Sequence, residues 1–124
     1  MYDFPDIDRV HAILDEIAET LPVEFFKELN EGVVLLPQRK FHPMSKTNRP
    51  LYIMGEYHKS ITGSHIRIYY GSFRSVFNGL SEERIKEQLE STLLHEFTHN
   101  LETLAGEKGL IIKDKEDLDK YLNK

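Results

Sequence analysis

The chain has 124 residues, a net charge of −5 and 40% hydrophobic residues, which is the composition of one ordinary globular domain. It contains no cysteine, so disulfides and thiol catalysis are excluded, and a metal would have to bind through His, Asp or Glu. No basic stripe, signal-peptide pattern or bilayer-spanning apolar run is present. We therefore expect a cytoplasmic protein whose partners include neither nucleic acid nor a membrane.

The first third of the chain predicts two helices and a strand. Between residues 6 and 21, apolar side chains recur at the spacing of an amphipathic helix. Pro22 suits the first turn of a short second helix that ends near Gly32. Residues 33–36 are all apolar and precede Pro37, which favours a brief buried strand.

The remainder predicts a sheet followed by one long helix. Residues 37–50 carry several basic side chains between prolines, and we interpret them as a solvated loop rather than an anionic-ligand site. Residues 51–57 and 65–70 have the composition of strands, and in the second of them apolar and polar side chains alternate. Ser81 offers an N-cap to a helix over residues 82–105, and residues 114–122 predict a further helix. The expected fold class is a single α+β domain over residues 1–124, with a small, mainly antiparallel sheet.

Residues 95–99 read His-Glu-Phe-Thr-His, an H-E-x-x-H motif late in the long predicted helix. Side chains four residues apart lie on one helix face one turn apart, so the rings of His95 and His99 can converge on one metal ion. Imidazole nitrogens suit Zn²⁺, and Glu96 would lie beside the metal to take a proton from its bound water. The motif predicts a hydrolytic zinc site, and the alternative is a surface helix with two solvated histidines.

The two faces of this helix differ in character. At about 100° per residue, His95, His99 and Glu102 fall within about 60° of one another, and Glu96 lies about 100° from His95. The opposite side is a continuous apolar stripe expected to face the core: Leu93, Leu94, Phe97, Leu101, Leu104 and Ala105.

A catalytic zinc ion usually has three protein ligands, so a third is needed. We prefer Glu102, which lies three residues after His99 and whose side chain would lean back over the metal. Its alternative role is to orient a histidine N–H as a hydrogen-bond acceptor. Glu116 and Asp119 in the tail are the other candidates for the third ligand.

The motif and its surroundings resemble the bacterial family of minimal zincin-like metallopeptidases, which are small single-domain proteins. The similarity covers most of the sequence: the N-terminal helix, residues 21–26, the strands at 33–36, 51–57 and 66–70, and the helix 82–99. The usual family pattern is H-E-x-x-H-x-x-G-x-x-D, in which the final Asp is a metal ligand. This chain has Glu102 where that Gly stands and Ala105 where that Asp stands. The resemblance implies a zincin-like fold, zinc ligands His95 and His99 and the base Glu96, but the role of the Asp does not carry over.

These observations lead to one functional hypothesis and one alternative. The hypothesis is a zinc metallopeptidase in which Glu96 activates a zinc-bound water to hydrolyse a peptide or protein substrate. By analogy with the family, the strand at residues 65–70 is expected to pair with an extended substrate. The alternative is a non-catalytic metal-binding or protein-interaction module with a degenerate site. Whether the chain forms a homodimer stays open. Four side chains are candidates for stabilising the developing oxyanion: His65, Arg67, Tyr69 and Tyr121.

Overall fold

The computed structural model describes residues 2–27 and 29–107, and their fold is α+β. Three α-helices and five strands occur in these residues, together with a short 3₁₀ helix at Val23–Phe26. The helices are α1 (Ile7–Thr20), α2 (Tyr70–Phe77) and α3 (Glu82–Glu107). The strands are β1 (Val33–Leu36), β2 (Lys40–Phe41), β3 (Tyr52–Ile53), β4 (Gly55–Ser60) and β5 (Gly63–Tyr69).

Helix α1 confirms the predicted N-terminal helix. Asp6 caps it, because its side chain accepts a hydrogen bond of 2.8 Å from the backbone N–H of Arg9. The apolar face predicted from the sequence is buried: Val10, Ile13, Leu14 and Ile17. The second predicted helix is a single 3₁₀ turn, and its Phe25 is buried in the same core.

Three strands form the main sheet in the order β1–β5–β4. Strand β4 pairs with β5 in the antiparallel sense, as predicted, and Glu56 lies opposite Arg67. Strand β1 pairs with β5 in the parallel sense, so the sheet is mixed, a detail that the prediction of a mainly antiparallel sheet did not specify. Parallel neighbours need a long connection, and residues 37–62 provide it.

The connection between β1 and β5 is more structured than the sequence suggested. Strands β2 and β3 form a two-stranded antiparallel sheet within it, and β4 follows after Met54. The prediction of a loop over residues 37–50 is therefore wrong at Lys40–Phe41, which form β2. The strand predicted at 51–57 is divided into β3 and the start of β4. Helix α2 was not predicted. The backbone at Gly71, the second residue of α2, packs closely against the backbone at residue 39, since a Cβ on Gly71 would lie 2.5 Å from the nitrogen of Arg39.

Helix α3 confirms the long predicted helix and supplies one side of the core. Ser81 caps its start, with the backbone N–H of Arg84 at 3.4 Å from its hydroxyl. The buried side chains of α3 recur every four residues: Ile85, Leu89, Leu93, Phe97 and Leu101. They pack with α1 and with Ile66 and Ile68 of β5 in one hydrophobic cluster. The predicted helix at 114–122 lies outside the described residues. Among those residues, no helix has the length and apolar character needed to cross a membrane.

Candidate metal and catalytic site

The two motif histidines converge at the surface of α3. Their Nε2 atoms are 3.1 Å apart, their ring centroids are 4.7 Å apart, and both side chains are exposed. Two imidazole nitrogens that share a tetrahedral zinc ion at the usual bond length would lie about 3.3 Å apart. The observed separation is close to that value, so the residues present fit two ligands of a zinc site.

Glu96 occupies the boundary between this exposed pair and the core. Its side chain is 7% exposed, and its carboxylate accepts a hydrogen bond from the backbone N–H of Tyr57 in β4. Burial raises the pKa of Glu96 above its ordinary value. The neighbouring imidazoles of His99 and His95 act in the opposite direction, as does the Tyr57 N–H. Glu96 is thus held beside the histidine pair with an increased affinity for a proton.

Strand β4 presents backbone groups to α3 because it lies at an edge of the sheet. Ile66 donates its backbone N–H to Gly32 on the β1 side at 3.0 Å. Since Ile66 is opposite Tyr57, the backbone groups of Tyr57 point away from β5, toward the open edge. In the described part of the chain, no other strand pairs with that edge. Glu96 therefore accepts its hydrogen bond from a backbone N–H at an edge that is unpaired in the described residues.

Close packing of α3 on β4 depends on Gly55. A Cβ at this position would lie 3.0 Å from Cγ2 of Thr92 and 3.1 Å from Cδ1 of Ile68. Thr92 precedes Glu96 by one helical turn, so the same helix face contacts β4 first at Gly55 and then at Tyr57. The absence of a side chain at residue 55 lets the helix approach closely enough for Glu96 to reach the strand.

A second carboxylate, Glu56, lies in β4 beside this region. Its Oε1 accepts hydrogen bonds from Lys40 Nζ at 2.7 Å and from the Tyr69 hydroxyl at 2.5 Å, and His58 Nε2 lies 3.6 Å away. Burial by itself would raise the pKa of Glu56, but the hydrogen bonds from Lys40 and Tyr69 outweigh it and lower the pKa to about 2. Glu56 is therefore ionised at neutral pH, and its negative charge adds to the rise in the pKa of Glu96.

The predicted third ligand, Glu102, is exposed on α3. Across the described residues, no group of three or more His, Cys, Asp or Glu side chains is positioned to hold a metal ion. The other candidates, Glu116 and Asp119, lie outside the described residues. His95 and His99 are thus brought together, while the third ligand stays a prediction.

The substrate strand and the oxyanion donors predicted from sequence need revision. Strand β5, which contains residues 65–69, lies between β1 and β4, so both of its edges are occupied and it cannot pair with a substrate. Tyr69 is 2% exposed and donates its hydroxyl to Glu56, so it is not available as a donor. Arg67 Nε donates to His65 Nε2 at 3.0 Å on the sheet face opposite the core. Tyr121 lies outside the described residues.

Sequence reasoning missed the contributions of Gly55, Glu56 and Tyr57. Their only common signal is the stretch Gly-Glu-Tyr in a predicted strand, which does not reveal that the strand forms an edge. The place of β4 at the edge follows from the order in which the three strands pair. A Gly inside a strand can mark a close approach of another backbone or helix, and this was the one usable hint.

No protein-family model matches the sequence, and no curated protein matches it significantly. Among solved structures, the chain is similar to a conserved hypothetical protein (TTHA0227) from T. thermophilus, with a TM-score of 0.68 and 29% sequence identity. The match covers 82% of this chain and 99% of that chain. The two proteins therefore share the small α+β fold over most of their length.

Proposed function

We propose that this protein is a zinc-dependent metallopeptidase whose site is formed by His95, Glu96 and His99. One observation carries the proposal: two exposed imidazoles converge to 3.1 Å between Nε2 atoms, beside a carboxylate that is 7% exposed. A pair of solvated surface histidines would have no need of a buried carboxylate one residue away. Burial of a carboxylate is unfavourable unless hydrogen bonds compensate it, and such groups concentrate at functional sites.

Each of the three residues has a distinct role in the proposed reaction. His95 and His99 would hold the ion, and a bound Zn²⁺ would supply a Lewis acid that polarises the carbonyl and acidifies water. Glu96 accepts a proton from the attacking water as the water oxygen bonds to the peptide carbon. When the carbon–nitrogen bond breaks, Glu96 returns that proton to the leaving amine. The position of Glu96 between the two histidines in sequence, with its carboxylate held at the edge of β4, suits it to both transfers.

The open edge of β4 is the proposed binding surface for the substrate. A peptide in extended conformation can add to a sheet edge through main-chain hydrogen bonds, without strong side-chain selectivity. Glu96 contacts this edge at Tyr57, so a peptide paired with β4 would pass beside the carboxylate. This replaces the pairing with residues 65–70 expected from the sequence.

The third ligand belongs to the proposal as well. Glu102 is preferred, because its position three residues after His99 keeps it on the histidine face of α3. Glu116 and Asp119 are the competing candidates. A Glu102→Ala variant that keeps its metal would exclude Glu102 and direct attention to the tail.

A non-catalytic metal-binding or protein-interaction module is the second candidate. It is favoured by one observation, namely that no group of three or more His, Cys, Asp or Glu side chains is positioned to hold a metal ion in the described residues. Both candidates predict bound metal, but only the peptidase requires Glu96 to act as a base. The two are therefore separated by removing the base while keeping the ligands.

The experiment measures metal content and peptide cleavage in the same set of variants. Protein purified without added metal is analysed by mass spectrometry for zinc, as wild type, His99→Ala and the control His11→Ala, which changes an exposed histidine of α1. We expect one zinc per chain in the wild type and the control, and loss of zinc in His99→Ala. A wild type without zinc affinity would contradict the metal site.

The same proteins are then incubated with a defined mixture of synthetic peptides, and the products are identified by mass spectrometry. Glu96→Gln should keep its zinc and lose cleavage by about 100-fold or more, since general-base catalysis typically contributes that much. Cleavage that survives in Glu96→Gln would refute the role of the base. Zinc binding without any cleavage in the wild type would favour the non-catalytic module.

A further inference from the structure

The chain between Glu31 and Glu56 differs in charge from the rest of the protein. Residues 32–55 contain no Asp or Glu, although the whole chain has 21 of them. Four cationic side chains lie in the same stretch: Arg39, Lys40, Lys46 and Arg49. A protein with a net charge of −5 thus carries a locally positive segment, and the segment includes β2, β3 and the turn between them.

This segment forms a shallow pocket with an aromatic surface. The pocket has a volume of about 460 Å³, and its lining includes Phe41, His42, Lys46 and Tyr52; we call it the hairpin pocket. The rings of Phe41 and Tyr52 lie across the two strands with centroids 5.0 Å apart. Phe41 is 46% exposed, and the Arg39 guanidinium lies 5.3 Å from its ring centroid. Exposed aromatic rings with adjacent cations are typical of binding surfaces rather than of a solvated loop.

Most of the cations of the segment have no carboxylate partner among the residues that the structure describes. Lys40 pairs with Glu56 at 2.7 Å. Within the described residues, Arg39, Lys46 and Arg49 form no ion pair. Lys46 and Arg49 are held close together by mutual backbone hydrogen bonds of 3.3 and 3.0 Å. The two positive charges are therefore close together and, in the described part of the chain, not neutralised by a carboxylate.

The hairpin that forms the pocket directly precedes the proposed substrate edge along the chain. Strand β3 ends at Ile53 and β4 begins at Gly55, with only Met54 between them. A peptide that pairs with β4 and extends past Gly55 would therefore reach the hairpin. At about 3.3 Å per residue, a few further residues span the distance from β4 to the turn.

We propose that the hairpin pocket binds an acidic segment of the peptide substrate. Carboxylates of that segment would pair with Lys46 and Arg49, and an apolar or aromatic side chain would pack on Phe41 and Tyr52. This inference rests on the proposed function and gives the substrate a chemical class: polypeptides with an acidic stretch beside the cleaved region. A peptide is favoured over a nucleic acid because three cations are few for a phosphate backbone and the rest of the chain is acidic.

Binding of a labelled peptide, measured by fluorescence anisotropy, tests the proposal. The probe is a short peptide in which Asp residues flank a Phe, and the reference probe has Asn in place of each Asp. The test variant is Lys46→Ala with Arg49→Ala. Its matched control is Lys27→Ala with Arg74→Ala, which removes the same two charge types from exposed positions outside the segment. Far-ultraviolet circular dichroism checks that both double variants are folded.

We expect the acidic probe to bind about fivefold more tightly than its Asn counterpart, and this preference to disappear in the test variant but not in the control. The preference should also weaken as salt is added, because exposed charges are screened. Equal affinity for the two probes, or equal losses in the test and control variants, would overturn the proposal. Tighter binding of a single-stranded oligonucleotide than of the acidic probe would also overturn it.

The measurement is made on the wild-type background and on Glu96→Gln, both with a chelator present. Binding at the hairpin needs neither metal nor base, so the acidic preference should be the same in both proteins. If zinc and cleavage are absent while the preference persists, the metallopeptidase proposal fails and the hairpin pocket stands as a docking site. If the preference is absent while cleavage is normal, only the hairpin inference fails.

Discussion

Replacing Glu56 by Gln should destabilise the protein at neutral pH, and the effect should vanish in acid. The pKa of Glu56 falls from 4.5 to about 2 through its hydrogen bonds with Lys40 and Tyr69. A shift of that size corresponds to about 3.4 kcal/mol of stabilisation as an upper value. The Glu56 side chain is 24% exposed, and Gln would keep part of the hydrogen bonding, so we expect a loss of about 2 kcal/mol at pH 7.

The pH range follows from the direction of the shift. Because the pKa of Glu56 is lower in the folded than in the unfolded protein, its stabilisation is fully present above about pH 4.5. It is then lost progressively as the pH falls towards the folded pKa of about 2, where both states bind the proton. The difference in unfolding free energy between wild type and Glu56→Gln should therefore be constant above this range and should shrink below it.

Urea denaturation at a series of pH values measures this difference. Other acidic groups titrate in the same range, but they are common to both proteins and cancel in the comparison. Glu87→Gln is the control, since Glu87 is exposed and pairs only at the surface with Arg84. Its effect should stay below about 0.5 kcal/mol at every pH. A wild-type advantage over Glu56→Gln that did not change between pH 5 and pH 3 would refute the reasoning, as would equal stability at pH 7.

Three further changes probe the packing around the site. Gly55→Ala should destabilise the protein by about 1–3 kcal/mol in urea denaturation, because the new Cβ would lie 3.0 Å from Cγ2 of Thr92. Adding Thr92→Ala removes that methyl group and should recover part of the lost stability. Phe97→Ala should lose about 3–5 kcal/mol, since this side chain is fully buried; a loss below 1 kcal/mol would contradict its role in the core. Glu96→Gln should stabilise the metal-free protein at pH 7 but not at pH 4. Burial raises the pKa of Glu96, so the buried carboxylate destabilises the fold only at a pH at which it is ionised. Thermal unfolding in the presence of a chelator measures the difference in stability between the two proteins.

The helix that carries the motif could be predicted because its pattern is local. Leu93, Phe97 and Leu101 recur at helical spacing, and the angles that follow from that spacing separate them from His95 and His99. The structure confirms that these three apolar side chains are buried and that both histidines are exposed. The partial burial of Glu96 also agrees with its intermediate angle. None of these inferences required knowledge of a residue distant in sequence.

The surroundings of Glu96 could not be predicted because they depend on strand order. Whether residues 55–60 or 63–69 form the edge is decided by the parallel pairing of β1 with β5, which joins residues more than 30 positions apart. The sequence-based choice of residues 65–70 as the substrate strand failed for this reason. Helix α2 was missed because Tyr70-Gly71-Ser72 has low helical propensity, while its stability comes from the burial of Phe73.

The equal spacing of the contacts along α3 and β4 explains how Glu96 can serve both the fold and the proposed site. Thr92 meets β4 at Gly55, and Glu96 meets it at Tyr57. Four helical residues advance about 6 Å, and two strand residues advance about 6.6 Å, so the two elements stay in register over this turn. A helix that followed the strand less closely would leave the Glu96 carboxylate buried without a backbone donor. Because His95 precedes Glu96 by one residue, the register that satisfies the carboxylate also turns the histidine pair outward beside the open strand edge. The proposed metal site is thus oriented by a contact that does not involve the metal, which is why Glu96→Gln should keep the histidine geometry while removing the base.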